Sequence, residues 1–286
     1  MIELLVLPAV GANVVLWGHW WAVNSLPLAI WTLGLSILLG LVAWRLRSAT
    51  PWAAVAGAAI TASLMFATAT FPYQPWRTAL VPVLALLAMT SISTRLGRAR
   101  KERLGLAEER KGRSAAQVAA NLGVAALLSS EFVQMGLINS GWFASHGIAP
   151  IPIFEPMLAA LAEAAADTVS SEIGQVFGGR PILITTLRRV DPGTDGAISI
   201  AGTLAGIVAA AIIAILGALM IFPWGASMGW IAFAGGVFGL FFDSLLGATI
   251  ERRGWLNNDL VNFLSTASAA AFALLIMALI PHHGVG

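Results

Sequence analysis

Apolar runs of 18 or more residues recur along this chain, each long enough as a helix to cross about 30 Å of hydrocarbon. A backbone in lipid must satisfy its own hydrogen bonds, which leaves helices or a closed barrel. Barrel strands alternate polar and apolar residues over about 10 positions, and these runs are continuous instead. Reading them between their polar breaks gives spans at 2–21, 26–44, 52–71, 76–94, 117–138, 151–172, 197–222, 228–249 and 260–280. The expected fold is therefore all-α: a polytopic transmembrane helical bundle of about nine spans, or eight if the first does not cross. That first run carries Glu3, Asn13 and His19, yet it is too long for a signal-peptide core and lacks a basic start, so it reads as retained. We treat residues 1–25 as an extra hydrophobic segment ahead of a single transmembrane domain, 26–286, with cytoplasmic loops at 95–116, 173–196 and 250–259.

Only 10% of the residues are charged, against about 25% in soluble domains, so no large soluble domain fits. Cysteine is absent and the four histidines are scattered, which removes disulfides, thiolate metal sites, cysteine nucleophiles and a histidine cluster. Basic residues near span ends stay on the cytoplasmic side. Of the 16 Lys and Arg, all but Arg77 fall in one set of alternating loops: Arg45, Arg47, the Arg95 to Arg113 cluster, Arg180, Arg188, Arg189, Arg252 and Arg253. The N-terminus is then inside and the C-terminus outside, and a bacterial inner membrane is the simplest location. Tryptophans fit the same boundaries, with Trp17, Trp20, Trp21, Trp76, Trp142, Trp224 and Trp230 near the outer one and Trp44, Trp52 and Trp255 near the inner. The high pI does not mark a nucleic-acid binder, because the net charge is only +2 and the basic residues stand where topology requires them.

The informative residues are the acids inside the spans, since an Asp at a helix centre costs about 2.5–3.5 kcal/mol on insertion scales. Glu163, Asp167 and Asp243 lie in the inner halves of their spans, and Glu131 lies toward an outer half. Glu163, Asp167 and Ser171 recur every four residues and share one helix face, with Glu172 at its end; Asp243 shares a face with Gly247 that continues to Glu251. Carboxylates converging at one depth suit a hard cation such as magnesium, which takes one or two protein oxygens and fills its sphere with water and phosphate. The plainer alternative is that each acid pairs with a nearby arginine, most readily Glu172 and Glu251 beside basic loops.

Between these helices, Pro192 and Gly193 make a turn, Thr194 or Asp195 can cap the following helix, and Gly196 lets a ligand approach its N–H groups. With Arg188 and Arg189 beside it, that helix start reads either as a phosphate site or as an ordinary capped turn. Asn258 and Asn262 open another span from the same side, and Lys111, Gly112 and Arg113 lead into a span with Asn121 one turn inside. Gly202 and Gly206, four apart, read as close helix packing. No GxxxxGK[ST] motif is present, which excludes a P-loop fold.

Five motifs occur in order: Lys111-Gly-Arg-Ser-Ala-Ala-Gln-Val-Ala-Ala-Asn121; Ala166-Asp-Thr-Val-Ser-Ser-Glu-Ile-Gly174; Pro181-Ile-Leu-Ile-Thr-Thr with Gly193-Thr-Asp-Gly-Ala-Ile-Ser; Phe242-Asp-Ser-Leu-Leu-Gly-Ala-Thr-Ile-Glu251; and Asn257-Asn-Asp-Leu-Val-Asn262. Over residues 30 to 280 the chain resembles the integral-membrane family that contains plant phytyl-phosphate kinase and animal transmembrane protein 19. The extra N-terminal span carries none of the motifs. The resemblance implies phosphoryl transfer from a nucleoside triphosphate, CTP rather than ATP, to an isoprenoid monophosphate, yielding the diphosphate. On that basis Asp167 and Asp243 are assigned catalytic and magnesium-binding roles, with Glu163 and Glu172 as auxiliary ligands. Arg188, Arg189, Thr194, Gly196 and Ser199 are expected to hold phosphate, and Lys111, Arg113, Asn121, Asn258 and Asn262 to line the mouth. Two other chemistries stay open. One is a cytidylyltransferase forming a CDP-lipid; the other is an ion-coupled transporter, disfavoured because the acids sit toward one side and no broken helices are evident.

Overall fold

The structure is a computed structural model that describes residues 1–107, 112–141, 154–221 and 229–280. Its long elements are all helical: α1 (Ile2–Asn24), α2 (Leu26–Arg45), α3 (Pro51–Ala67), α4 (Leu80–Arg95), α5 (Arg98–Leu104), α6 (Ala115–Leu128), α7 (Glu131–Asn139), α8 (Phe154–Phe177), α9 (Ile200–Ile221), α10 (Gly229–Thr249) and α11 (Asn258–Leu279). Two short strands, β1 (Ile182–Leu183) and β2 (Ala197–Ile198), pair antiparallel between α8 and α9.

Among the described residues five helices, α1, α2, α9, α10 and α11, are individually long and apolar enough to span a bilayer. Counting each bent pair, α4 with α5 and α6 with α7, as one span raises this to seven. The chain is therefore an integral, multi-pass membrane protein with an all-α helical bundle. The expected nine also include α3, which has 17 residues, and α8, which carries Glu155, Glu163, Asp167 and Glu172.

Local sequence explains where the helices begin. Thr50 caps α3 by accepting from Ala53 N at 3.3 Å, with Pro51 at the first helical position, where its missing N–H costs nothing. Ser114 and Gln117 form a reciprocal capping box on α6, and Asn257 Oδ1 accepts from Leu260 N at 3.0 Å to start α11. The α9 cap corrects the sequence expectation: Ser199 Oγ accepts from Gly202 N at 3.1 Å, while Thr194 stays in the preceding turn with its hydroxyl donating to Asp191 O. Residues 197–198 are drawn into the small hairpin, which moves the helix start downstream.

Helix α8 is the axis of the bundle, touching α4, α6, α9, α10 and α11. Its Met157 to Ala166 stretch is almost wholly shut from solvent. Small residues let neighbours approach it. A Cβ at Gly202 would stand 2.6 Å from Ser170 O, and one at Gly236 would stand 2.7 Å from Ala162 Cβ. The packing reading of Gly202 and Gly206 therefore holds.

Two expectations are corrected. The run 117–138 is not one straight span: it bends by 51° at Ser129 and Ser130, and α4 to α5 bends by 60°. Glu131 consequently opens α7, with its N–H donating to Asn13 Oδ1 at 3.1 Å, rather than lying inside a continuous helix. Helix α1 packs within the bundle. Val6, Val10 and Asn13 are buried against α3 and α6.

Candidate functional site

Helices α8 and α10 meet through Gly239, where a Cβ would stand 2.5 Å from Glu163 Cγ. With the backbones this close, Glu163 and Asp167 of α8 face Asp243 of α10. Asp167 and Asp243 share one cavity wall, and the Glu163, Asp167, Asp243 and Ser265 side chains are close enough to interact electrostatically. Glu163 Oε1 and Asp243 Oδ2 are sealed from solvent with no hydrogen-bond partner among the described residues. A buried carboxylate oxygen left in this state is expensive unless a proton, a cation or a ligand completes it.

The two aspartates form part of the wall of a cavity of about 280 Å³. Of the residues singled out in the sequence, Arg113, Asn121, Glu172, Thr194, Gly196, Ser199, Asn258 and Asn262 line the same cavity. Glu163 is behind the aspartates and off the wall. Arg188 and Arg189 are not on it either. Both are exposed on the hairpin, where Arg188 O accepts from Leu183 N at 2.9 Å and Arg189 bridges to Ile182. Lys111 lies outside the described residues.

Each lining residue is held by a local device. Gly112, at φ +77°, lets the 112–114 segment dock on the α2–α3 turn, with Arg113 N donating to Ser48 O at 3.1 Å and Thr50 N donating to Arg113 O at 3.0 Å. The Arg113 guanidinium then reaches Thr168 Oγ1 at 3.5 Å. Asn262 Nδ2 donates to Asn121 Oδ1 at 3.3 Å, tying α11 to α6. Gly196, at φ +72°, packs directly on the end of α10, where a Cβ would fall 2.2 Å from Ala248 N. Close approach to that helix therefore demands the glycine, whatever else the turn binds.

Glu172 is differently engaged. Both its oxygens are taken, one by Thr94 Oγ1 at 2.8 Å and the other by the buried Lys101 ammonium, which also donates to Ser93 O and Thr94 O. The pair anchors α5 to α8 and neutralises Glu172. Sequence reasoning did not find Lys101, which is 71 residues away and offers no spacing signal. It also passed over Gln175, a cavity residue whose buried Oε1 has no partner among the described residues. Gln175 was detectable, because it continues the Glu163, Asp167, Ser171 row by one more turn.

Once Glu172 is neutralised, Asp167, Asp195, Asp243 and Glu251 remain as acids on the wall, and Arg113 is its one basic side chain among the described residues. Such a wall attracts cations, and among the described residues it favours phosphate beside Arg113 or through a bridging cation. No group of three or more His, Cys, Asp or Glu among the described residues is arranged to enclose a metal ion by itself.

The profile of the integral membrane protein DUF92 family matches residues 34–270. The chain belongs to that family. Among relatives, an uncharacterized membrane protein of Synechocystis sp. is 33% identical over 211 residues, which is 71% of this chain and 75% of that one. A second, from Methanocaldococcus jannaschii, is 42% identical over 119 residues, covering 42% of this chain and 49% of that one. Protein VTE6, chloroplastic, of Arabidopsis thaliana is 29% identical over 204 residues, 69% of this chain and 58% of the plant protein. The chain thus spans about half the length of the second and third of these relatives. No solved structure matches. All the lining residues named above fall within the matched segment.

Proposed function

We propose that this DUF92 member is a membrane-embedded prenyl-phosphate kinase that moves a phosphoryl group from a nucleoside triphosphate, CTP rather than ATP, to an isoprenoid monophosphate. The observation that carries the reading is the meeting of Asp167 and Asp243, from two helices, on the wall of a cavity shared with Arg113. The motif resemblance to phytyl-phosphate kinase supports the substrate class. In this reading α3 and α8 both span, making nine spans with the N-terminus inside, and the cavity opens to the cytoplasm of a bacterial inner membrane.

The donor set fits magnesium: Asp167 and Asp243 offer oxygens only, and Asp243 Oδ2 is buried without a partner among the described residues. Those two would hold the ion, with Glu163 in support behind them. Held by these aspartates, magnesium would supply charge neutralisation. Phosphoryl transfer asks mainly for alignment and charge compensation. Arg113 compensates phosphate charge directly, and Asn121, Asn258, Asn262 and the 194–199 turn orient oxygens by hydrogen bonding. The acceptor is already an anionic phosphate oxygen, so no general base is needed. Glu172, saturated by Lys101 and Thr94, positions α8 rather than binding the ion.

The test is an assay of the purified protein in nanodiscs with labelled CTP and ATP against geranylgeranyl, phytyl and farnesyl monophosphates. The expected products are lipid diphosphate and CDP. CDP-lipid with pyrophosphate would replace the kinase by a cytidylyltransferase. The bends at α6–α7 and α4–α5 reopen the transporter alternative. Neither bend contributes a residue to the cavity wall among the described residues, however, and the first is filled by Asn13, Ser63 and Ser129. Gradient-driven solute uptake in liposomes, without nucleotide consumption, would favour transport.

A further inference from the structure

A second, larger cavity of about 710 Å³ lies between the α2–α3 hairpin and α4, where α3 and α4 stand apart while each packs on other helices. Its walls are mostly aliphatic. Two residues, Arg113 and Asn121, line both this cavity and the acidic one. The apolar space therefore adjoins the candidate phosphate position, with Arg113 and Asn121 forming the shared wall. Arg95 crosses the inner end from α4 to the α2–α3 turn, donating to Leu46 O and Ser48 Oγ at 3.2 Å each.

We propose that this groove holds the isoprenoid chain of the acceptor, with its phosphate at Arg113, and that Gly57 sets how long a chain fits. The proposal rests on the kinase reading above and names where the tail lies. The volume is within the roughly 300–1,000 Å³ of small-molecule pockets. Along α4 the lining runs from Val83 to Arg95, about 18 Å at ~1.5 Å per residue. An extended isoprene unit advances roughly 5 Å over its four backbone bonds, so three to four units fit. Arg113 at the junction matches the charged head, and the aliphatic walls match the tail. Gly57 stands on the wall about 9 Å from the start of α3, with nothing within 4 Å of the position a Cβ would take. A large side chain there enters the groove instead of the protein.

The experiment compares kcat/KM for geranylgeranyl monophosphate with that for the shorter geranyl monophosphate, in the wild-type protein and in Gly57→Phe and the milder Gly57→Leu. The long-to-short ratio is read because it does not depend on how much protein is folded. We expect the ratio to fall about 10- to 200-fold in Gly57→Phe and less in Gly57→Leu. Gly34→Phe, at a lipid-facing position of α2 outside the groove, leaves the ratio unchanged. If Gly57→Phe abolishes all turnover, Gly57→Leu decides. An unchanged ratio in the active variants assigns the groove to ordinary bilayer lipid and overturns the proposal. Inactivity of the wild-type protein toward both acceptors instead overturns the kinase reading.

Discussion

Two polar clusters sit inside this apolar bundle, and they differ in how completely they are satisfied. At the α6–α7 bend, Asn13 Nδ2 donates to Ser63 Oγ at 2.7 Å, Ser63 and Ser129 hydroxyls meet at 3.1 Å, and Asn13 Oδ1 accepts from Glu131 N. The side-chain amide from α1 thus uses both its donor and its acceptor across the bend, and in this cluster Ser130 Oγ is the one buried side-chain atom without a partner among the described residues. Between α8 and α10, Glu163 and Asp243 each keep a buried oxygen without a partner among the described residues, and acids crowd around Arg113. A satisfied cluster stabilises a fold, whereas an unsatisfied one is costly to the empty protein and gains most from a ligand.

Substitutions can break this contrast. The largest effect is expected for Asp243→Asn, which should lower phosphoryl transfer about 1,000-fold while the melting temperature in detergent stays the same or rises, because a crowded carboxylate has been neutralised. A matching loss of stability would make Asp243 structural. Lys101→Met should do the opposite, costing about 3–5 kcal/mol by leaving Glu172 buried and unpaired. Adding Glu172→Leu should recover most of that stability, as chemical unfolding can measure. Asn13→Leu should cost about 1–3 kcal/mol by orphaning the bend, with activity per folded molecule unchanged. The smallest effect is expected for Arg188→Ala with Arg189→Ala: both side chains are exposed off the cavity, so kcat/KM should change by less than about twofold, within surface effects of roughly 0.5 kcal/mol.

Much of the site was legible because helical spacing is a local rule. In the four-residue row of α8, Asp167 and Ser171 reach the cavity while Glu163 is buried off its wall, and the polar starts of α6 and α11 converge on the same cavity. The Ser114 capping box and the Thr50-Pro51 helix start follow from adjacent residues. The arginine pair at 188–189 is adjacent in sequence to the turn, yet it stands exposed off the cavity, with Arg189 bridged to Ile182. Likewise Thr194 or Asp195 is the cap that local sequence suggests, whereas the hairpin displaces the start of α9 to Ile200.

By itself, the order of residues determined that this chain lies in a membrane as a bundle of helices, and which acids share a helical face. Hydrophobic length and helical period depend only on neighbours along the chain. Which helices touch was decided by the tertiary structure alone: that Asp243 meets Asp167, that Lys101 takes Glu172, that Asn13 fills a bend 116 residues away, and that Arg113 joins an acidic cavity to an apolar groove. Those contacts arise from glycine-mediated close approach and from buried polar groups finding partners across the bundle, and neither leaves a periodic mark in the sequence.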